Sequence, residues 1–214
     1  MTAIKICGVT RPEDADLAAE MGAWAVGLNL WEGSPRFVEP DRAVELGALL
    51  KRRTQVTGVF VNPTLEQVAK AVEDIDLNMV QLHGDEGAHF CSEVARKTGA
   101  KVIKAFPVES AAEVRNAEAF RTDYHLFDAA APSSIRGGTG TNFDWKYLQG
   151  RRSEIPAILA GGIDPENVSA AIEVVRPFAV DVASGVESSP GVKDAVLMRA
   201  LFDAAGSRET VREA

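Results

Sequence analysis

Cysteine and histidine are both scarce. Cys7 and Cys91 are the only cysteines among 214 residues, and His83, His89 and His125 the only histidines. Two cysteines build no disulfide framework. Neither Cys-x-x-Cys nor His-x-x-x-His occurs, so spacing offers no zinc site, and His83 followed by Asp85 is at most half of one. No catalytic metal is expected. No stretch approaches the roughly 18 apolar residues of a membrane span, so no membrane partner is expected. Positive charge is in deficit: 23 Lys and Arg stand against 31 Asp and Glu, a formal net charge of −8. Nucleic acid is therefore not an expected partner. A small anionic ligand stays compatible, because a few local donors outweigh a distant field. The opening residues Met1-Thr2-Ala3-Ile4-Lys5 lack the charged and apolar regions of a signal peptide, and a cytoplasmic, reduced setting is expected.

There is also no Ser/Pro linker and no low-complexity tract, which favours one domain over residues 1–206. The polar tail from Ser207 to Ala214 is expected to fray. What recurs along the chain is a short apolar run followed by a longer helical pattern. The runs are Ala3 to Cys7, Ala25 to Leu30, Val56 to Val61, Met79 to Leu82, Lys101 to Phe106, Tyr124 to Asp128, Pro156 to Ala160 and Ala179 to Val182. Several are apolar nearly throughout, as strands covered on both faces are. Between them lie helix start signals. Thr10-Arg11-Pro12-Glu13, Thr64-Leu65-Glu66-Gln67 and Ser110-Ala111-Ala112-Glu113 fit the capping box. Asp164 before Pro165 fits an N-cap with proline at the first helical position. Apolar residues at helical spacing follow, among them Leu17, Ala18 and Met21, then Val44, Leu46, Leu49 and Leu50. A further helix is predicted from Glu86 to Thr98, with Cys91 packed inside it. Eight alternating strand–helix units of this length predict a closed (β/α)8 TIM barrel, an α/β fold; an open doubly wound sheet is the less favoured arrangement.

In a barrel the site lies at the C-terminal strand ends, and the residues there can be read off. Strand one delivers Cys7, strand two leads to Ser34-Pro35-Arg36, strand four to Gln81 and His83, and strand six to Asp128. Strand seven runs into Gly161-Gly162, and strand eight into Asp181, Ser184 and Gly185. The loops after strands seven and eight are where barrels often hold phosphate, and their glycines let backbone N–H groups approach an anion. Cys7 is open to two readings, a small buried packing residue or a base or nucleophile whose thiol is activated. Asp128 is either a loop cap or a general acid. The longest loop follows it, ending at Arg136-Gly137-Gly138-Thr139-Gly140, and is a candidate lid. His89 is expected on a helix surface and His125 inside a strand.

Taken in order, these motifs resemble the phosphoribosylanthranilate isomerase family of tryptophan biosynthesis. They are Lys5-Ile6-Cys7-Gly8-Val9-Thr10, Ser34-Pro35-Arg36, Gly58 to Asn62, Val80-Gln81-Leu82-His83-Gly84-Asp85-Glu86, Gly137 to Gly140 with Phe143-Asp144-Trp145, Leu159 to Ile163, and Ser184-Gly185-Val186-Glu187 with Pro190-Gly191-Val192-Lys193. The resemblance implies a barrel that needs no cofactor and acts on a small phosphorylated substrate, as a monomer or homodimer. It implies conversion of N-(5-phosphoribosyl)anthranilate to 1-(2-carboxyphenylamino)-1-deoxyribulose 5-phosphate. Cys7 then matches the general base, Asp128 the general acid and Arg36 the contact to the anthranilate carboxylate. His83, Gly161, Gly162, Ser184 and Gly185 fall at substrate-binding positions. The chemistry is coherent: opening a furanose needs a proton on the ring oxygen, and the Schiff base so formed acidifies the C2 proton for a base to remove. The rivals are a related phosphoribosyl-amine isomerase of histidine biosynthesis and a catalytically inactive phosphate-binding barrel.

Overall fold

A side chain on a β-strand points to the opposite face from its neighbour, and here that alternation sorts the chain into two cores. The computed structural model describes residues 1–129 and 144–206. Its strands β1 (Ala3–Cys7), β2 (Ala25–Asn29), β3 (Gln55–Phe60), β4 (Met79–Leu82), β5 (Lys101–Val108), β6 (Tyr124–Ala129), β7 (Ala157–Leu159) and β8 (Ala179–Val182) form a closed parallel barrel in chain order. β1 pairs with β8 to complete it, Lys5 lying opposite Asp181. Ile4, Ile6, Val26, Leu28, Val80, Leu82, Val180 and Val182 face outward and pack under the helices. Ala25, Met79, Ile103, Leu126, Ile158 and Ala179 face inward and fill the lower barrel. The same parity puts Lys5, Cys7, Asn29, Gln81, Asp128 and Asp181 on the inner face, in the layers above that apolar plug.

The outer ring comprises α1 (Pro12–Glu20), α2 (Pro40–Leu50), α3 (Leu65–Ile75), α4 (Ala88–Thr98), α5 (Ala111–Asn116), α6 (Val168–Val175) and α7 (Ala195–Ala204). α3 and α5 start with the predicted reciprocal capping boxes, on Thr64 with Gln67 and on Ser110 with Glu113. Other expectations change. The N-cap of α1 is Arg11, without a side-chain cap, because the Thr10 hydroxyl instead donates to the Gly191 carbonyl at 2.6 Å. Asp164 caps a turn through the N–H groups of Glu166 and Asn167, and α6 begins later, at Val168. Val44 turns outward from α2, whose buried face is Ala43, Leu46, Gly47 and Leu50. α4 begins at Ala88, not Glu86. The Glu86 carboxylate is instead buried, accepting from Asn62 N at 2.7 Å, Gly84 N at 2.9 Å and Lys104 Nζ at 2.9 Å.

After β6 the described residues carry a 3-10 turn, Trp145–Leu148, where an α-helix was expected. The candidate lid and the tail from Ser207 lie outside the described residues. A short helical turn was expected at Ser184 and a 3-10 turn, Ser184–Val186, forms there; what was not predicted is the short antiparallel hairpin that follows it, β9 (Glu187–Ser189) and β10 (Val192–Lys193). No helix among the described residues is long and apolar enough to cross a membrane.

His125 sits on the outer face of β6, fully buried, with its Nε2 3.1 Å from the Phe120 carbonyl and its ring edge-on to Phe106 and Phe127. Burial, reinforced by Arg151 and Arg121, pushes its pKa down to about 4 against the pull of the Phe120 carbonyl. The unfolded chain takes up this proton below about 6.5 and the native state does not. The stability it supports is thus full above that pH and is lost as pH falls toward 4. Urea titrations of the wild type and of His125→Phe across this window should show a shallower slope in the variant, by up to about 1.4 kcal/mol per pH unit. Equal slopes would mean that His125 takes up its proton equally in both states.

Candidate active site

The inner-face parity of the strands delivers a set of polar side chains to the C-terminal rim, and one pocket is lined by most of them. Cys7, Arg36, Gln81, His83, Asp128, Gly161, Gly162, Asp181 and Ser184 all border it. Most of the strand-end residues read from the sequence are therefore brought together, Cys7 from β1 and Asp128 from β6, while Gly185 lies beside Ser184 without bordering the pocket. His89 is not among them. It projects from α4 into solvent beside Glu93. Cys91 packs in the outer core, where burial pushes its thiol up to about 11.

Below Cys7 lies a buried ion pair. Lys5 Nζ donates to Asp181 Oδ1 at 2.8 Å. Burial opposes the charge on Lys5, but Asp181 and the Cys7 sulfur outweigh it, and the ammonium is held above its ordinary range. The Cys7 thiol is itself held up, first by burial and then by Asp181, while Lys5 and Lys193 pull the other way. The resting group is a neutral thiol, with an ammonium beside it ready to pair with the thiolate. Gly27 makes room for this packing: a Cβ there would lie 2.7 Å from Cys7 Sγ and 3.2 Å from Lys5 Nζ.

A second network flanks the thiol. Arg36 donates through Nε and Nη2 to the two oxygens of Glu187, at 2.8 and 2.7 Å. Lys193 Nζ donates to the Cys7 carbonyl at 2.6 Å, the Ala183 carbonyl at 2.9 Å and Glu187 Oε1 at 2.9 Å. Burial works against the charge of Glu187, yet Arg36 and Lys193 hold its carboxyl below its ordinary range. The fork of Arg36 is thus already occupied along one edge, which leaves Nη1 as the guanidinium nitrogen with no partner among the described residues. Sequence reasoning assigned no role to Lys5, Glu187 or Lys193. The signal for Lys5 was present: it is a charge within an apolar strand, two residues before Cys7 and so on the same face. Glu187 and Lys193 had no such signal, because their partners are set by a hairpin that the periodicity does not announce.

Across the pocket, Asp128 Oδ2 lies 3.3 Å from His83 Nε2, and His83 Nδ1 lies 2.8 Å from Gln81 Nε2. Gly161 and Gly162 adopt φ of 85° and 63°, a left-handed backbone that favours glycine. A Cβ on Gly161 would strike the Ala129 amide and come within 2.8 Å of Asp128 Oδ1. Gly185 sits so close over the β7 loop that a Cβ would collide with the Ile163 carbonyl oxygen. Ser184 opens the 3-10 turn beside it, where the first N–H groups lack intrahelical acceptors. Among the described residues no group of three or more His, Cys, Asp or Glu side chains is placed to hold a metal ion. The arrangement offers a thiol and a carboxyl facing one pocket, a guanidinium at one side and a glycine-lined backbone floor.

Comparison with known proteins agrees with this architecture. The family model described as N-(5'phosphoribosyl)anthranilate (PRA) isomerase matches residues 4–204. The N-(5'-phosphoribosyl)anthranilate isomerase of Citrifermentans bemidjiense is 42% identical over 202 residues, covering 94% of this chain and 96% of that protein. The crystal structure of phosphoribosyl anthranilate isomerase from Thermotoga maritima superposes with a TM-score of 0.87 at 38% identity, covering 97% of this chain and 100% of that one. A phosphoribosyl anthranilate isomerase in complex with reduced 1-(o-carboxyphenylamino)-1-deoxyribulose 5-phosphate superposes with a TM-score of 0.84 at 36% identity, with the same coverage of both chains.

The Lys5–Asp181 pair makes a stability prediction. Removing one partner of a buried pair leaves an uncompensated charge, at a cost of about 3–5 kcal/mol. Lys5→Met and Asp181→Asn should each destabilise strongly, and the double variant should lose much less than the sum of the two. Chemical denaturation of the three variants measures this, and additive losses would show that the two groups do not depend on each other.

Proposed function

The chain belongs to the N-(5'-phosphoribosyl)anthranilate isomerase family, and from that premise we propose how its rim performs the reaction. The protein is an isomerase of tryptophan biosynthesis. It converts N-(5-phosphoribosyl)anthranilate to 1-(2-carboxyphenylamino)-1-deoxyribulose 5-phosphate by an Amadori rearrangement. The observation that supports a role for each residue is the placement of Cys7 and Asp128 on one pocket, from strands β1 and β6.

In this reading the substrate phosphate rests on the backbone of the loops after β7 and β8, at Gly161, Gly162, Ser184 and Gly185, where a small anion meets N–H groups. The anthranilate carboxylate meets the edge of Arg36 left over by Glu187. Holding both ends fixes the sugar between the two proton-transfer groups. Asp128 gives its proton to the furanose ring oxygen as the bond from C1 to that oxygen breaks, and the nitrogen lone pair closes the C=N bond. Cys7, having first released its thiol proton to solvent in the pocket, then takes the C2 proton as the thiolate. The electrons of that C–H bond form C1=C2 as the C=N π pair returns to nitrogen, giving the enol that tautomerises to the ketone. As Cys7 ionises, Lys5 supplies the opposing charge from within the barrel. Only proton transfers are needed. The protein is taken to work in the cytoplasm as a monomer or homodimer, and its two cysteines are free and buried.

Cys7→Ala should leave the barrel folded and lower kcat by roughly 10²–10⁴-fold with little change in KM. Asp128→Asn should abolish turnover of the natural substrate yet spare a ring-opened analogue, which needs no proton on a ring oxygen. The disappearance of substrate fluorescence follows both. Near-normal turnover in a folded Cys7→Ala protein would remove the base assignment, and equal damage to both substrates would remove the acid assignment.

Arg36 gives an independent check on the binding mode. A charged hydrogen bond contributes about 1.5–3 kcal/mol, so Arg36→Lys, which keeps charge but not the fork, should lower kcat/KM by roughly 10- to 150-fold. A substrate lacking the anthranilate carboxylate should be poor for the wild type and no poorer for the variant. Equal losses on both substrates would show that Arg36 does not read the carboxylate.

A further inference from the structure

We propose that Gln81 and His83 are positioning residues that decide which oxygen of Asp128 carries the acid proton. The proposal rests on the reading of Asp128 as the general acid and extends it to a single atom. Gln81 is buried on β4 and His83 stands two residues beyond it, both on the pocket side. The Gln81 amide nitrogen lies 2.8 Å from His83 Nδ1. An amide nitrogen can only donate, so Nδ1 must accept. A neutral imidazole that accepts at Nδ1 carries its proton on Nε2. That nitrogen is the one that faces Asp128 Oδ2 at 3.3 Å.

The opposite orientation of the amide is the less favourable one. Gln81 Oε1 is buried without a partner among the described residues. Turning the amide over would put two N–H donors in that position, and buried orphan donors are rarer in folded proteins than under-satisfied carbonyls. The chain of dependence then runs outward. Gln81 sets the tautomer of His83, and the Nε2–H of His83 makes Oδ2 of Asp128 an acceptor. In the neutral acid the proton is therefore on Oδ1. The missing side chain of Gly161 keeps the space next to Oδ1 open, since a Cβ there would lie 2.8 Å from that oxygen. Once the proton has gone to the ring oxygen, the same Nε2–H stabilises the carboxylate left behind. With the other tautomer, Nε2 would accept, and the acid proton would be held on Oδ2 against His83.

The test reads the tautomer directly and then asks whether it matters. The full chain labelled with 15N-histidine gives two-bond 15N–1H correlations, with His83 assigned by the signal lost in His83→Asn. At a pH where the ring is neutral, the wild type should show the Nε2–H form. Gln81→Glu keeps the volume but accepts rather than donates, so it should drive His83 away from that form; Gln81→Leu should leave a mixture. Both should lower kcat by roughly 10- to 100-fold, part of what acid catalysis supplies, with KM little changed and a ring-opened analogue less affected. A role in packing alone would spare Gln81→Glu. An Nδ1–H tautomer in the wild type, or wild-type kcat in folded Gln81→Glu, overturns the proposal. Asp128→Asn separates the two layers. If it retains turnover, the acid assignment falls and the proposal with it. If it is inactive while both Gln81 variants turn over normally, only the positioning role falls.

Discussion

Closing the barrel requires the first strand to lie against the last, and two buried ammonium groups stand at that seam. A charge taken out of water must be paired or the structure that buries it is not stable. Lys5 is paired across the seam with Asp181, and Lys193 is satisfied by two carbonyls and Glu187. The positions of Cys7, Arg36 and Ala183 follow from these contacts. Lys193 holds the Cys7 carbonyl, Glu187 holds the guanidinium, and Lys5 sits against the sulfur. One set of electrostatic constraints therefore closes the fold and shapes one wall of the pocket.

The opposite wall is built by different means. Gln81 hydrogen-bonds His83, whose Nε2 lies 3.3 Å from Asp128 Oδ2, and the backbone at Gly161 packs against Asp128 without a side chain. Below both walls the barrel is apolar. At its foot, Trp24, Tyr124 and Phe178 meet with ring centroids 5.0 to 5.3 Å apart, in the tilted and edge-on geometries that aromatic pairs favour. The polar layers can be specialised because that lower plug supplies hydrophobic stabilisation without their help.

The strands were legible because fully covered parallel strands are written as apolar runs, and because parity along each run assigns a face. Cys7, Gln81, Asp128 and Asp181 reach one pocket by that rule alone. The capping boxes of α3 and α5 were legible for a similar reason, since both partners of a box lie within one turn. Thr10 and Glu86 were misjudged because each has a strong partner far along the chain, whereas Asp164 keeps local partners and only the start of α6 was placed too early. Thr10 meets Gly191 from the far end of the chain, and Glu86 meets Lys104 from the next strand. The engagement of Arg36 by Glu187 joins residues 151 positions apart, a pairing that no local pattern encodes. What could be read was local or periodic, and what could not was a contact made by tertiary packing.

The seam also bears on how the protein comes into being. Lys5 finds Asp181 across 176 residues, and Lys193 finds the Cys7 carbonyl across 186. On the ribosome the N-terminal strand emerges long before either partner exists, and until then burying Lys5 would strand a lone charge. The first strand is therefore obliged to stay hydrated while the middle of the chain gathers its local helix–strand contacts. The thiol of Cys7 and the cage around it come together only when the last hairpin arrives. A chain that stops short of Glu187 and Lys193 lacks the groups that hold Arg36 and the Cys7 carbonyl, so one wall of the pocket depends on the last hairpin however well the rest has folded.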